Sequence, residues 1–207
     1  MAVFDTIKQE REKLKGKPFK EKLDHFIEYY KWHVIVIAFL AALIGGTIYQ
    51  KATEPDIYLT GVLFNSKDLT GEGAVQGIID GFSGEQGLEP GKETILLHTN
   101  LTYFEGEGYA ASNYESMQIL STWVLAGEVD FIIGDASLMR QLAGGGYLTE
   151  LPSGNDWQTE SPYLLDVSGS EALKSLYGDA GDTLTLGITV STENTERVLA
   201  FIDYLGE

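Results

Sequence analysis

Hydrophobic and polar positions along the chain divide it into three regimes. From Phe19 the apolar residues Phe19, Leu23, Phe26, Ile27 and Tyr30 recur at spacings of four, three, one and three, one stripe of a helix that Pro18 could open at its first position. The next stretch, WHVIVIAFLAALIGGTIYQ from Trp32 to Gln50, carries no formal charge when His33 is neutral. Taken as helix from Trp32 to Tyr49, it would be about 27 Å long, just under the ~30 Å of a bilayer's hydrocarbon. Tyr29, Tyr30 and Trp32 stand at one end and Tyr49 at the other, as an interfacial aromatic belt would. This pattern predicts a transmembrane segment at 32–50, and the long approach to it predicts an uncleaved signal anchor rather than a cleaved leader.

Beyond a short tether at 51–56, the pattern changes to short β-branched runs alternating with helical periodicity. IYLTGVLF (57–64), TILLHT (94–99) and VDFIIG (129–134) read as strands. Between them Ala74, Ile78, Ile79 and Phe82, then Tyr114, Met117, Ile119, Leu120 and Trp123 to Leu125, fall at helical spacing and end at glycines. A helix near 137–143 stops at Gly144-Gly145-Gly146. YLTELP, a polar loop through Trp157, YLLDV (163–167), a short helix near 171–177, TLTLGITV (183–190) and a closing helix 193–205 complete the chain. Such alternation predicts an α/β fold, a single doubly wound and mainly parallel sheet with helices on both faces. The expected organisation is a basic stub at 1–31, the anchor at 32–50, the tether at 51–56 and one α/β domain at 57–207.

Charge adds a direction to this layout. Residues 1–31 hold eight basic and six acidic groups, whereas from 52 onward five basic face 25 acidic ones, and the whole chain of 207 residues carries −17. A surface so acidic does not neutralise phosphate backbones, so nucleic acid is excluded as a partner. Basic residues concentrate before the apolar run, with Lys51 alone just after it, which predicts a cytoplasmic amino terminus. The acidic domain is then expected outside a bacterial cell membrane, in a single-pass protein whose partner through residues 32–50 is the lipid bilayer. The stripe before the run would also suit the inner headgroup layer or a partner helix. Absence of cysteine removes disulfides, thiolate metal clusters and a cysteine nucleophile, and suits an oxidising exterior.

Two segments carry a family resemblance. GEVDFIIGDASLMRQLAGGGYLTEL (127–151) and LGITVSTENTERVLAFIDYL (186–205) resemble parts of extracellular solute-binding proteins of the type II periplasmic-binding fold. The first looks like that family's strand, small-Asp loop, helix and G-x-L-x-D/E-L run, and the second like its return strand and closing helix. Between Leu151 and Thr183 only about 30 residues remain, too few for the family's second lobe with a core of its own. The resemblance therefore implies a reduced, one-lobe relative.

In a doubly wound sheet, ligands bind beyond the carboxyl ends of the strands. Those ends supply the candidate binding residues Asn65, Thr99, Asn100, Tyr103 and Asp135, with Trp157 as a lid. Other features have plainer readings. His98, the one histidine after the apolar run and so the one available to a Ser-His-Asp triad, lies within an apolar strand. GEGAVQG (71–77) departs from the dinucleotide fingerprint and holds Glu72 where phosphate would sit. The pairs Glu105 with Glu107 and Asp179 with Asp182 lack calcium-loop spacing and read as solvated acidic loops. Asn100-Leu101-Thr102 fits a glycosylation acceptor, which has little meaning in a bacterial protein. No catalytic residue, metal site or cofactor is expected. The function expected is non-catalytic recognition of a small molecule or envelope component, the alternatives being a protein-interaction module of a membrane complex or a carboxylate-based hydrolase.

Overall fold

The computed structural model describes residues 18–66, 73–152, 159–178 and 184–206. Two compact units divide at Glu54 and Pro55, within the expected tether. The first contains one continuous helix, α1 (Phe19–Thr53), so that Lys51 to Thr53 end a helix instead of forming a linker. Ile35, Val36, Ile37, Phe39, Leu40, Leu43, Ile44 and Ile48 are all at least half exposed along it.

Among the described residues no helix is long and apolar enough to cross a membrane, which corrects the expected transmembrane anchor at 32–50. The physical reason lies in the length of the unbroken apolar run. Only the 11 residues Val34 to Ile44 are continuously apolar; Gly45, Gly46, Thr47 and Gln50 dilute the exit, and Lys31 and His33 flank the entry. A run of that length falls well short of the ~20 residues a spanning helix needs.

The second unit, Pro55–Glu207, is built on one six-stranded sheet. In chain order its elements are β1 (Asp56–Leu63), α2 (Gly73–Gln86), β2 (Glu93–His98), a 3-10 turn at Glu107–Tyr109, α3 (Ala110–Ala126), β3 (Phe131–Asp135), α4 (Ala136–Gly144), β4 (Thr159–Ser161), β5 (Leu164–Asp166), α5 (Glu171–Tyr177), β6 (Leu184–Ile188) and α6 (Thr195–Gly206). Strand order is β2-β1-β3-β6-β5-β4. β1 pairs in parallel with β2 and β3, whereas β3 with β6, β6 with β5 and β5 with β4 are antiparallel. The sheet is thus mixed, not mainly parallel. Its first half is wound through helices, as alternation predicts, but the two residues between β4 and β5 allow only an antiparallel hairpin, and β6 runs against both β5 and β3. The 3-residue strand β4 lies where a polar loop is expected, and YLTELP contributes an isolated bridge, Leu148 to Thr189.

Strand alternation sorts the core into two layers. Leu59 and Leu63 of β1, Phe131 and Ile133 of β3 and Leu186 and Ile188 of β6 face the layer under α2, α5 and α6, where Phe82, Leu176 and Phe201 are buried. Val62 and Ile132 face the opposite layer, filled by Leu120 and Val124 of α3 and by Leu138, Met139 and Leu142 of α4. Close approach is set by Gly61: a Cβ there would overlap the Phe131 ring, which stacks on Phe201 at 4.7 Å between centroids.

Candidate functional site

α4 begins at the residue after β3 ends, so Asp135 stands where the strand's carboxyl end meets the helix amino terminus. It takes the position before the first helical turn with extended backbone (φ −61°, ψ 142°) but makes no side-chain cap bond to the helix. Its carboxylate instead accepts a hydrogen bond from Asn65 Nδ2 at 3.0 Å, joining the ends of β1 and β3. Asn65 itself has φ 55°, the left-handed region that asparagine tolerates better than most residues.

The segment after β2 is anchored at four successive residues. Leu101 O accepts from Asn65 N (3.1 Å), and Thr102 N donates to Ser116 Oγ (3.3 Å). Tyr103 is bound on both sides of its backbone by the Asn65 amide: Nδ2 donates to Tyr103 O (2.7 Å), and Tyr103 N donates to Oδ1 (2.8 Å). Asn113 of α3 does the same for Phe104, with Phe104 N donating to Oδ1 (3.0 Å) and Nδ2 donating to Phe104 O (2.7 Å). Two asparagine side chains thus replace the strand partners that these aromatic residues lack. The Tyr103 hydroxyl donates to Gln141 Oε1 of α4 at 2.9 Å, and Phe104 packs on Tyr109 at 5.1 Å.

Between this aromatic segment and the start of α4 lies an open cleft of about 410 Å³, lined by Tyr103, Phe104, Glu105, Asp135, Ala136, Ser137 and Arg140. Its walls hold two carboxylates, one guanidinium and two aromatic rings. On the opposite side of the sheet's rim, the Tyr177 hydroxyl is buried without a hydrogen-bond partner. Burial pushes its pKa far up, and the nearby Asp135 charge pushes it further.

Of the residues expected from the sequence, Asn65, Tyr103 and Asp135 come together in one hydrogen-bonded group. Thr99 is half-buried and Asn100 exposed in the connection after β2, and neither lines the cleft. Trp157, Asp179 and Asp182 lie outside the described residues, as do Gly71 and Glu72, while Gly73 and Gly77 are helical residues of α2. The His98 ring stacks on Trp123 (4.2 Å, 23°), and its pKa is lowered by burial, partly offset by the Glu128 charge. Among the described residues, no three or more His, Asp or Glu side chains converge as metal ligands would.

Sequence reasoning missed Ser137, Arg140 and Gln141 as a group, although their signal was present. They follow one another at spacings of three and one on α4, opposite the buried Leu138, Met139 and Leu142, and so form the polar face of that helix at the cleft. Asn113 had no comparable signal, because nine residues separate it from Phe104. Compared with known proteins, the chain matches no family model and no curated protein.

Proposed function

We propose that Pro55–Glu207 is a non-catalytic recognition domain that takes a small molecule in the cleft beside Asn65, Tyr103 and Asp135. The observation that carries this reading is the fixing of the cleft wall before any ligand arrives. Leu101 to Phe104 are each hydrogen-bonded to Asn65, just beyond β1, or to α3, so a ligand would meet ordered aromatic rings and would not bear the entropy of ordering them. The reading extends to a reduced, one-lobe relative of type II periplasmic-binding proteins. Its support is that the two family-like segments pair with each other, β3 with β6 over five residues each. For a test, the chain is heated with sugars, amino acids, short peptides and wall fragments. A shift of several degrees that is lost on Tyr103→Ala supports the reading, and a folded chain that shifts with none of them refutes it.

A bacterial membrane is the proposed location, with lipid as the partner of the apolar residues of α1. Ile35, Val36, Ile37, Leu40 and Ile44 point to different sides of that helix and are at least half exposed, so one protein groove would not cover them all. Flotation with anionic vesicles checks this: the full chain should rise with the lipid, and Ile37→Asp with Leu40→Asp should leave it behind.

A second reading, a protein-interaction module, is favoured by α3. Tyr114 (71% exposed) and Leu125 (88%) are 11 residues apart, which puts them within about 20° of each other around the helix. Loss of a stoichiometric membrane partner on Tyr114→Ser with Leu125→Ser would support it.

A further inference from the structure

The two edges of the sheet are finished differently. β4 closes one edge with three residues and a shift in register, a short and irregular strand of the kind that resists further pairing. β2 forms the other edge with six residues and has no proline, lysine or bulge; the extra residue of the β1–β2 pair, Tyr58, lies on β1. The direction of its backbone groups follows from Thr60, whose N donates to Asp130 Oδ2 and whose O accepts from Asp130 N, both on the β3 side. Leu59 and Gly61, on either side of Thr60, therefore turn their backbone toward β2, where they stand opposite Ile95 and Leu97. In a parallel pair such residues bond to those flanking their partners, here Thr94, Leu96 and His98, so Ile95 and Leu97 turn their own N–H and C=O groups outward. Among the described residues only the Thr94 hydroxyl approaches these groups, at 3.5 Å from Ile95 O.

Charge along this edge favours a strand like itself. From Thr94 to Phe104 the chain carries no Asp, Glu, Lys or Arg, in a domain that holds 25 acidic residues from position 52 onward. A basic strand would find no carboxylate there to pair with, whereas a second β2 brings neither a charge to desolvate nor a like charge to repel. The side chains of Ile95 and Leu97 are buried beneath α2, and Leu96, on the other face, is 37% exposed. We infer that two copies of this chain join through β2, antiparallel, about a two-fold axis at Leu96. Ile95 of one protomer exchanges both backbone bonds with the partner's Leu97, and Leu97 with the partner's Ile95. Leu96 then faces its own mate at the closer, non-hydrogen-bonded spacing of about 4.5 Å between Cα atoms, which covers the apolar side chain that a single copy leaves exposed. Glu93 falls opposite Thr99 instead of another carboxylate. Moving the axis to Ile95 or to Leu97 would set Leu96 against Thr94 or His98 and lose this match.

The chain has no cysteine, so one introduced thiol reports on one position. In the full chain under mild oxidation, Leu96→Cys should give a disulfide-linked dimer, because the facing Cα atoms lie within the ~4.4–6.8 Å that a disulfide spans. Thr94→Cys should not link to itself, since its mate lies four residues along the paired strand, about 13 Å away. Thr94→Cys chains mixed with His98→Cys chains should link to each other, because those positions face across the axis. By sedimentation the parent should dimerise, and Leu96→Lys, which sets two ammonium groups on the axis, should weaken the dimer by about tenfold or more. Leu96 lies at the exposed edge, so circular dichroism should show its variants folded. Association through the apolar residues of α1 would survive Leu96→Lys and link the Leu96→Cys and Thr94→Cys chains alike, and that result overturns the inference. A parent that stays monomeric at high micromolar concentration overturns it too, as does a folded Leu96→Cys chain that forms no link.

Discussion

The Asp130 carboxylate and the Thr192 hydroxyl, 62 residues apart in the chain, meet at 2.6 Å and hold the β6–α6 connection against the start of β3. The same oxygen accepts from Asn194 Nδ2 at 3.0 Å, and the other accepts from Thr60 N of β1 at 2.8 Å. Asp130 is 5% exposed, so its carboxylate has little access to water. It is also the aspartate of the family-like GEVD run, and its partners include the Thr and Asn of STEN. What reads as a motif is here a structural tie. Asp130→Ala should cost roughly 3 kcal/mol, because a buried donor at Thr60 and half-buried ones at Thr192 and Asn194 lose their acceptor. Asp130→Asn, which keeps one carbonyl oxygen, should cost about half of that. Urea unfolding with an unchanged slope would measure both; a loss below ~1 kcal/mol for the alanine variant would contradict this role.

Asn65 has two duties that substitution can separate. Its side chain holds Tyr103, and its backbone occupies φ 55°. Asn65→Gly should relieve the backbone while losing the clamp, at about 1 kcal/mol, and Asn65→Ala should lose both, at about 2 kcal/mol. Equal losses for the two variants would show that the backbone conformation carries no cost. Loss of the clamp should also raise amide exchange at Tyr103 and leave β3 unaffected.

Removing the Tyr177 hydroxyl should be harmless, since it is buried and unpaired. Tyr177→Phe is expected to leave stability within about 1 kcal/mol of the parent or raise it slightly. A loss well beyond that, in thermal or urea unfolding, would show that the hydroxyl has a partner in solution.

His98 makes stability depend on pH in a defined direction. Burial lowers its folded pKa below the unfolded 6.5, so between 6.5 and the lowered value the unfolded chain binds more protons than the native one. The contribution of neutral His98 is whole above pH 6.5 and is lost as the pH falls through the folded pKa. His98→Phe, which keeps a ring against Trp123, should therefore gain stability relative to the parent over that window. Parallel stability curves for the two proteins would rule out the linkage.

Local pattern made most elements legible. β-branched runs such as IYLTGVLF and VDFIIG can bury both faces only as inner strands, and Val198, Phe201, Ile202 and Leu205 share one helical face, so these elements are legible to within a few residues at their ends. Asn65, Tyr103 and Asp135 were also readable, because strand ends in an α/β sheet open toward one rim. The sense of pairing was not. Whether β6 runs with or against β3 depends on how the connection from β5 through α5 returns, and no local periodicity encodes that. Hydrophobicity also overstated α1, since a charge-free stretch of 19 residues is not an unbroken apolar one.

The sequence by itself determined the acidic, cysteine-free character, the alternation of helices and strands, and which faces are apolar, because each depends on residues within a turn or two of one another. Only the tertiary structure decided that the sheet is mixed, that Asn113 holds Phe104, and that Glu105 and Arg140 share one cleft. Those relations lie beyond the reach of local periodicity, and they exist only once the chain has packed around its two core layers.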